Sequence, residues 1–225
     1  GVLKDNPCHE IALQIARKVG VDFLFNVAIT RERQIAGIYC GDLEQAHLAG
    51  CRDVANWTSA EVNDTFDLVI TSAGGYPLDA TFYQSVKGMC GAIPILRNDS
   101  TLIIVAGCSE GLGEKAYADL LLSSSLNTRW REFLDRIATS GTFLPFQWDL
   151  QMRTRVLERI GAEKIWFVSD ALPEEIQKQI GVNPVLGSGN AQLRTQRAID
   201  EFIASNPNAR IAVIPEGPYT LLKQR

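Results

Sequence analysis

The chain has 225 residues, of which 46% are hydrophobic and 21% charged, a composition that excludes disordered and fibrous proteins. Its formal charge of −4, without any run of lysine and arginine, argues against nucleic acid or an anionic membrane as the main partner. The sequence has no apolar stretch long enough to span a bilayer, and its five widely spaced cysteines favour reduced core thiols and a cytoplasmic location.

The first 60 residues are predicted to form one segment. Its elements are a helix over about 7–19, strands over 23–29 and 34–40 joined as a β-hairpin, and a helix from about 43. Asn6 and Pro7 supply an N-cap and a first-turn proline, and Gly20 is placed to end the first helix. Asp42 followed by Gln45 is typical of a helix start.

The chain's two histidines fall in this segment. His9 and His47 lie in different predicted elements without the paired spacing of metal ligands, so each is interpreted as a packed or surface residue. We therefore predict no metal site in the chain.

From Asp67 onward the pattern becomes strand, glycine loop and helix, repeated. Short apolar runs lie at 68–73, 102–107, 165–169 and 211–214, with helical segments at about 81–90, 114–122, 128–138, 148–160 and 191–204. The runs do not alternate with polar residues, which is typical of parallel strands buried on both faces. The sequence thus predicts an α/β fold with an open, mostly parallel sheet and helices on both faces, spanning 61–225 and preceded by the helix and hairpin of 1–60.

The first of these strands leads into the most informative stretch. A turn at Gly74 and Gly75 is followed by a helix that Asp79 can cap, with amides of the loop and first turn left free for an anion. On a helical wheel Gln84 and Lys87 lie opposite the apolar stripe. An amide and an ammonium so placed can hold a carboxylate or ketone oxygen, although such residues are also typical of a solvated face.

A second glycine-rich loop, at 107–113, also joins a strand to a helix. Its amides could bind phosphate, or it could be a tight structural turn. Cys108 in this loop could have a lowered thiol pKa near the helix start, but no adjacent histidine supports a nucleophile.

Motifs from one end of the chain to the other together resemble a known family. They are Thr71-Ser72-Ala73-Gly74-Gly75-Tyr76-Pro77-Leu78-Asp79 with Tyr83-Gln84 and Lys87; Asn6-Pro7, Asp22-Phe23, Asn26-Val27, Gly41-Asp42, Ala46-His47 and Gly50 upstream; and Cys108, Glu110-Gly111, Gly113, Trp148 and Pro215-Glu216-Gly217 downstream. This set resembles the C-terminal half of the nickel-dependent lactate racemases. The family's N-terminal half, with its catalytic histidines, cofactor-bearing lysine and nickel-binding histidine, has no counterpart in this sequence.

The resemblance implies a role for particular residues. The implied substrate-binding residues are Tyr83, Gln84, Lys87 and Trp148, and the implied cofactor-binding residues are Gly74 and Gly75. From its residues alone Trp148 is interpreted as part of a core face that continues through Met152, Val156 and Ile160. The resemblance instead places it at the lining of the racemase site.

The resemblance also implies a function for the larger protein. The chain would be the C-terminal domain of a two-domain racemase or epimerase, inactive alone, whose partners are its own N-terminal catalytic domain and a small 2-hydroxy acid. Hydride transfer through a 2-keto acid would use a nickel-pincer nucleotide held by that other domain. Two alternatives stay open, namely a non-catalytic α/β module that binds a nucleotide or acidic metabolite at the glycine loops, and an interaction domain without a small ligand.

Overall fold

A computed structural model describes residues 2–123, 126–141 and 143–224. The chain divides into two compact units, residues 1–60 and 61–225. The first unit contains α1 (Pro7–Val19), β1 (Leu24–Ile29), β2 (Ile35–Gly41) and α2 (Leu43–Thr58), and β3 (Ser59–Val62) begins at the boundary. The second unit contains every later element.

The first unit forms as its sequence predicts. The side chain of Asn6 accepts hydrogen bonds from the first amides of α1, and Gly20 ends that helix in the left-handed conformation with φ of 83°. Strands β1 and β2 pair antiparallel as a hairpin. Asp42 caps α2 by accepting from the amides of Glu44 and Gln45, so both helix starts and the hairpin are confirmed.

The second unit is built on a five-stranded sheet. Its strands are β4 (Phe66–Ser72), β5 (Leu96–Val105), β6 (Ile165–Val168), β7 (Asn183–Pro184) and β8 (Ile211–Ile214), and β9 (Leu221–Gln224) lies outside it. The order is β7-β6-β5-β4-β8 and every pair is parallel. The predicted parallel sheet is therefore confirmed, and the short edge strand β7 is an addition that the sequence analysis missed.

Helices cover both faces of this sheet. They are α3 (Phe82–Ala92), α4 (Lys115–Ser123), α5 (Leu126–Thr139), α6 (Gln147–Ile160), α7 (Glu174–Gln179) and α8 (Ala191–Ser205). Val69 and Ile104 point into the larger core with α3 and α6, whereas Leu68 and Ile103 point to the other face, where they pack with Ala198 of α8. Burial on both faces explains why the strand sequences are continuously apolar.

None of the helices in the described part of the chain has the length and apolar character needed to cross a membrane.

The five cysteines are free thiols, but they do not all lie in the core. Cys108 is buried, whereas Cys8 and Cys40 are exposed. The prediction of core thiols is wrong for these two because α1 has no buried residue and Cys40 points outward from the hairpin.

Candidate functional site

The turn that connects β4 to α3 is held by Asp79. This buried carboxylate accepts a hydrogen bond from the amide of Gly107, at 2.8 Å, in the loop after β5. The N-cap of α3 is instead Thr81, whose side chain makes no capping bond. The prediction that Asp79 caps α3 is wrong, because the carboxylate is used to tie two neighbouring loops together.

The amides at the start of α3 are also in use. The N–H of Phe82 donates to the carbonyl of Gly111, at 2.9 Å, and the N–H of Tyr83 donates to the carbonyl of Leu112, at 3.1 Å. The prediction that the first turn of this helix is free for an anion is therefore wrong. The glycine loop after β5 supplies the carbonyls that take the place of an anion.

That loop, at 107–113, is a structural turn. Besides the bond from Gly107, the amide of Cys108 donates to the carbonyl of Asp79, at 2.8 Å, and that of Glu110 donates to the carbonyl of Ala80, at 2.7 Å. Donors committed to protein carbonyls are not available to cradle a phosphate. Of the two interpretations left open by the sequence, the tight turn is confirmed.

Cys108 is not an activated thiol. Its sulfur is buried and lies 3.8 Å from the hydroxyl of Ser85. Burial raises the pKa of the Cys108 thiol to about 11, which opposes formation of the thiolate. A nucleophilic role at this position is disfavoured.

Helix α3 presents two distinct faces. Phe82, Val86 and Met89 are buried against the sheet, whereas Lys87 is exposed and Gln84 is half-buried. The helical-wheel prediction for these five residues is confirmed. Within the described part of the chain Lys87 forms no ion pair, so its ammonium is open to solvent and ligands.

Trp148 lies on the rim of the molecule beside α3. Its side chain is 46% exposed, and the indole N–H donates to the hydroxyl of Tyr83, at 3.1 Å. The prediction of a core position for Trp148 is wrong. The hydrogen bond joins the start of α6 to the first turn of α3.

Trp148 belongs to a cluster of five rings, which we call the aromatic rim: Tyr83, Tyr117, Phe143, Phe146 and Trp148. Centroids of Tyr83 and Tyr117 lie 5.1 Å apart, those of Tyr83 and Phe146 5.9 Å, and those of Phe146 and Trp148 5.5 Å. Contacts at these distances and in tilted geometry are favourable for aromatic pairs. They hold the exposed indole in a defined position.

The buried face of α6 is not the one that the sequence analysis proposed. Val156 and Ile160 are buried, but Met152 is 39% exposed like the tryptophan one turn before it. The inner face instead carries two charged residues, Asp149 at 5% and Arg153 at 0% exposure. A hydrophobic pattern cannot detect these two, and only their i, i+4 spacing among leucines indicates a shared buried face.

Burial shifts the pKa values of Asp149 and Arg153 in opposite directions. Burial raises the pKa of Asp149 from 3.8 to about 6, and this rise is opposed by the Tyr117 hydroxyl and by the charges of Arg153 and Lys87. Burial also lowers the pKa of Arg153 to about 10. The guanidinium Nη2 donates to the carbonyls of 180 and 181, the latter at 2.9 Å.

Gly74 and Gly75 occupy the turn after β4 with φ of 91° and 71°. The amide of Gly74 donates to the hydroxyl of Ser72, at 3.0 Å, and a side chain at Gly74 would collide with Leu78. These contacts explain the two glycines as turn residues. A cofactor-binding role for them stays a prediction.

The two histidines are brought together although they lie in different helices. The rings of His9 and His47 stack with centroids 5.5 Å apart and planes at 21°, and His47 Nε2 lies 3.5 Å from the sulfur of Cys51. Among the described residues no group of three or more histidine, cysteine or acidic side chains is suited to a metal ion.

Comparison with known proteins gives consistent matches along the chain. The family described as lactate racemase C-terminal domain matches residues 62–221. Lactate racemase of Thermoanaerobacterium thermosaccharolyticum is 32% identical over 100% of this chain and 50% of its own length. Lactate racemase of Lactiplantibacillus plantarum is 30% identical over 99% of this chain and 50% of its own length. The chain thus spans about half the length of the curated relatives it matches.

Solved structures support the same relationship. The lactate racemase apoprotein of T. thermosaccharolyticum superposes with a TM-score of 0.85 at 30% identity, covering 100% of this chain and 51% of that one. A structural genomics target from Thermotoga maritima superposes with a TM-score of 0.59 at 11% identity, covering 98% of this chain and 54% of that one, and shares the fold alone. With a family match that extends over most of its length, the chain belongs to the lactate racemase C-terminal domain family.

Proposed function

We propose that this chain is the domain that completes the substrate site of a 2-hydroxy acid racemase, with lactate as the first substrate to test. The full protein would carry a second half, as the relatives do, and we call that protein the intact enzyme. The exposed ammonium of Lys87 is the observation that carries this proposal: it has no ion pair in the described part of the chain, and it lies one helical turn from Gln84 and from Tyr83, whose hydroxyl accepts from Trp148.

Lys87 supplies the positive charge that a substrate carboxylate needs. Hydrogen bonds to charged groups contribute about 1.5–3 kcal/mol, and the compact ammonium binds as a point charge. An ammonium that is already paired with an acidic side chain would have to break that pair first. The unpaired state of Lys87 favours a ligand-binding role over a stabilising one.

Gln84 supplies a neutral partner for a second oxygen of the substrate. Its Oε1 atom is buried and has no hydrogen-bond partner among the described residues. A buried amide oxygen without a donor costs free energy. The amide N–H₂ of Gln84 can donate to the ketone oxygen of the 2-keto acid.

The aromatic rim supplies the wall of the site. The indole of Trp148 is fixed by Tyr83 and by the ring of Phe146, yet half of its surface is open. An apolar wall beside the charged Lys87 would exclude water from a planar 2-keto acid intermediate. The intermediate could then turn over and be reduced on either face while its carboxylate stays bound.

The cofactor is assigned to the other half of the intact enzyme. We infer that the other half would hold a nickel-pincer nucleotide, which would supply the hydride-transfer chemistry. No catalytic residue is assigned to this chain. The chain by itself should not racemise lactate.

Racemisation of lactate by the intact enzyme and its variants tests the proposal. Lys87→Ala should lower kcat/KM about 10- to 100-fold, because loss of a charged hydrogen bond costs about 1.5–3 kcal/mol. Lys87→Arg should also be impaired, because a planar guanidinium does not reproduce a compact ammonium. Melting temperature should change little at this exposed position.

Lys115→Ala is the matched control, since Lys115 is an exposed helical lysine paired with Asp119. It should leave racemisation unchanged. If Lys87→Ala racemises lactate at the wild-type rate, Lys87 is an ordinary solvated surface residue and its assignment to substrate binding is refuted.

A further inference from the structure

The β-hairpin of the first unit has two different faces. Helix α2 covers one of them, where the hydroxyl of Tyr39 donates to Asp53, at 3.0 Å, and a side chain added at Gly50 would collide with the Tyr39 ring. The residues that point to the opposite side are apolar, and they lie directly across from one another in the antiparallel pair. This outer face consists of Phe25 with Cys40, Val27 with Ile38, and Ile29 with Ile35.

The outer face is open to solvent in this chain. Its five large apolar side chains are 40–65% exposed, and Cys40 is exposed as well. The hairpin is a two-stranded sheet that pairs with no third strand in the described part of the chain. A two-stranded hairpin in water needs further strands or packed helices to be stable, and a contiguous exposed apolar patch is typical of a surface that other residues cover.

The rest of the first unit also has little core of its own. Ala46 is the one buried residue among the described residues 2–60. Helix α1 has no buried residue, although Ile11, Ile15 and Val19 form an apolar stripe and are each more than half exposed. Most of the stability of a helix in a protein comes from packing of its apolar face. The first unit is therefore a folded piece whose core other residues must complete.

The relatives indicate which residues these are. The lactate racemase C-terminal domain family matches from residue 62, whereas the lactate racemase of T. thermosaccharolyticum matches the whole chain. Residues 1–60 thus correspond to a part of that relative that lies before the C-terminal domain. The chain spans 50% of the relative's length, so the relative has a further segment of similar length that can cover such a face.

We propose that the outer face is the surface on which the other half of the intact enzyme packs, so that residues 1–60 form part of the core of that half. The occupant is an apolar surface of that half, because an apolar sheet face is buried against another apolar layer. The C-terminal domain would then begin near residue 62 rather than at residue 1. The inference rests on one element of the proposed function, the presence of a second half, and does not depend on what Lys87 binds.

Cys40 is a natural reporter of this surface. In the 225-residue chain its thiol should react readily with a maleimide. In the intact enzyme it should react at least about 10-fold more slowly, because only transient opening would expose it. Mass spectrometry of the peptides identifies which cysteine is labelled. Lys115→Cys is the matched control, since Lys115 is an exposed residue of the second unit, and a thiol there should react equally fast in both proteins.

A charge placed on the outer face gives a second readout. Ile38→Lys should lower the melting temperature of the intact enzyme by at least about 4 °C, because it buries an unpaired ammonium. Sedimentation of the native enzyme should not change. In the 225-residue chain, where position 38 is exposed, the same substitution should leave the melting temperature nearly unchanged. Leu193→Lys, at an exposed leucine of α8, should have little effect in either protein.

Two results would overturn the inference. Equal reactivity of Cys40 in the two proteins would show that the outer face is open to solvent in the intact enzyme. A change of oligomeric state caused by Ile38→Lys would show that a second copy of the protein is the occupant. The labelling test uses unaltered Cys40, so it gives an answer even if Ile38→Lys fails to fold.

Neither test measures racemisation, which keeps this inference separate from the proposed function. If Cys40 is protected but Lys87→Ala racemises lactate normally, the packing surface stands and the substrate-binding role of Lys87 fails. If Lys87→Ala is impaired but Cys40 stays reactive in the intact enzyme, the packing surface fails and the substrate-binding role stands.

Discussion

The close contact between α3 and the carboxyl end of β4 depends on Gly88. A side chain carbon added to this buried glycine would lie 2.4 Å from the carbonyl oxygen of Ser72 and 3.0 Å from Ile104. Ordinary contacts begin at 3.4 Å, so α3 must move by about 1 Å to accept it. Because the obstacle is backbone, no rotamer change relieves the clash.

Two effects of Gly88→Ala on the free energy of unfolding have opposite signs. At an unconstrained helical position alanine is about 1 kcal/mol more favourable than glycine. Overpacking a dense core typically costs about 1–3 kcal/mol, and a backbone clash belongs at the upper end. We expect a net loss of about 2 kcal/mol, which corresponds to a fall in melting temperature of about 4–8 °C for a chain of this size.

Thermal and urea unfolding of Gly88→Ala, followed by tryptophan fluorescence, measure this loss. Lys87→Ala is the control. It changes the exposed residue just before Gly88 in the same helix and should alter the free energy of unfolding by less than about 0.5 kcal/mol. A Gly88→Ala protein that is as stable as the wild type, or more stable, would refute the close packing of α3 on β4.

Three further predictions concern thiols, pH and the rim. Cys8 and Cys40, being exposed, should react with a thiol reagent at pH 8 in the native chain, whereas Cys108, buried and with its pKa raised to about 11, should react only after unfolding; rapid native labelling of Cys108 would contradict this. The raised pKa of Asp149 means that the folded protein keeps a proton that the unfolded chain releases, so this contribution to stability is present below about pH 4 and is lost as pH rises through about 6. The free energy of unfolding of the wild type minus that of Asp149→Asn, from urea titrations, should thus fall by about 2.4 kcal/mol from pH 4 to pH 7, and a constant difference would exclude the raised pKa. Trp148→Phe should leave the melting temperature nearly unchanged but reduce lactate turnover by the intact enzyme. A large fall in melting temperature with unchanged turnover would show that Trp148 serves stability and not the substrate site.

Much of the fold could be predicted because its signals are local. Asn6 and Asp42 cap helices through bonds to amides two or three residues away, and such bonds can be read from the sequence itself. The sheet strands were found from their continuous apolar runs, since each is buried on both faces. The short strand β7 was missed because two residues carry no periodic signal.

The parts that could not be predicted depend on partners distant in the sequence. Asp79 has the spacing of a helix cap, yet its carboxylate bonds to Gly107, 28 residues away. The amide of Tyr83 is likewise taken by the carbonyl of Leu112. One sequence gives the donors and acceptors of a loop but not which of them meet, so a glycine-rich turn resembles an anion site until its bonds are known.

The sequence predicted where Gln84 and Lys87 lie on α3 but not the charged residues buried on the neighbouring helix α6. Gln84 and Lys87 lie on the face that the helical wheel gives them. Asp149 and Arg153 were missed because charged residues are normally assigned to the surface. Trp148 was interpreted as core for the complementary reason, since its large apolar ring favours burial although it lies at the rim.

The most direct test of the central claim is a crystal structure of the intact enzyme with lactate bound. The account predicts that the lactate carboxylate lies about 3 Å from Nζ of Lys87, with the amide of Gln84 on another oxygen and the indole of Trp148 against the ligand. Lactate bound with its carboxylate beyond hydrogen-bond distance of both Lys87 and Gln84 would contradict it.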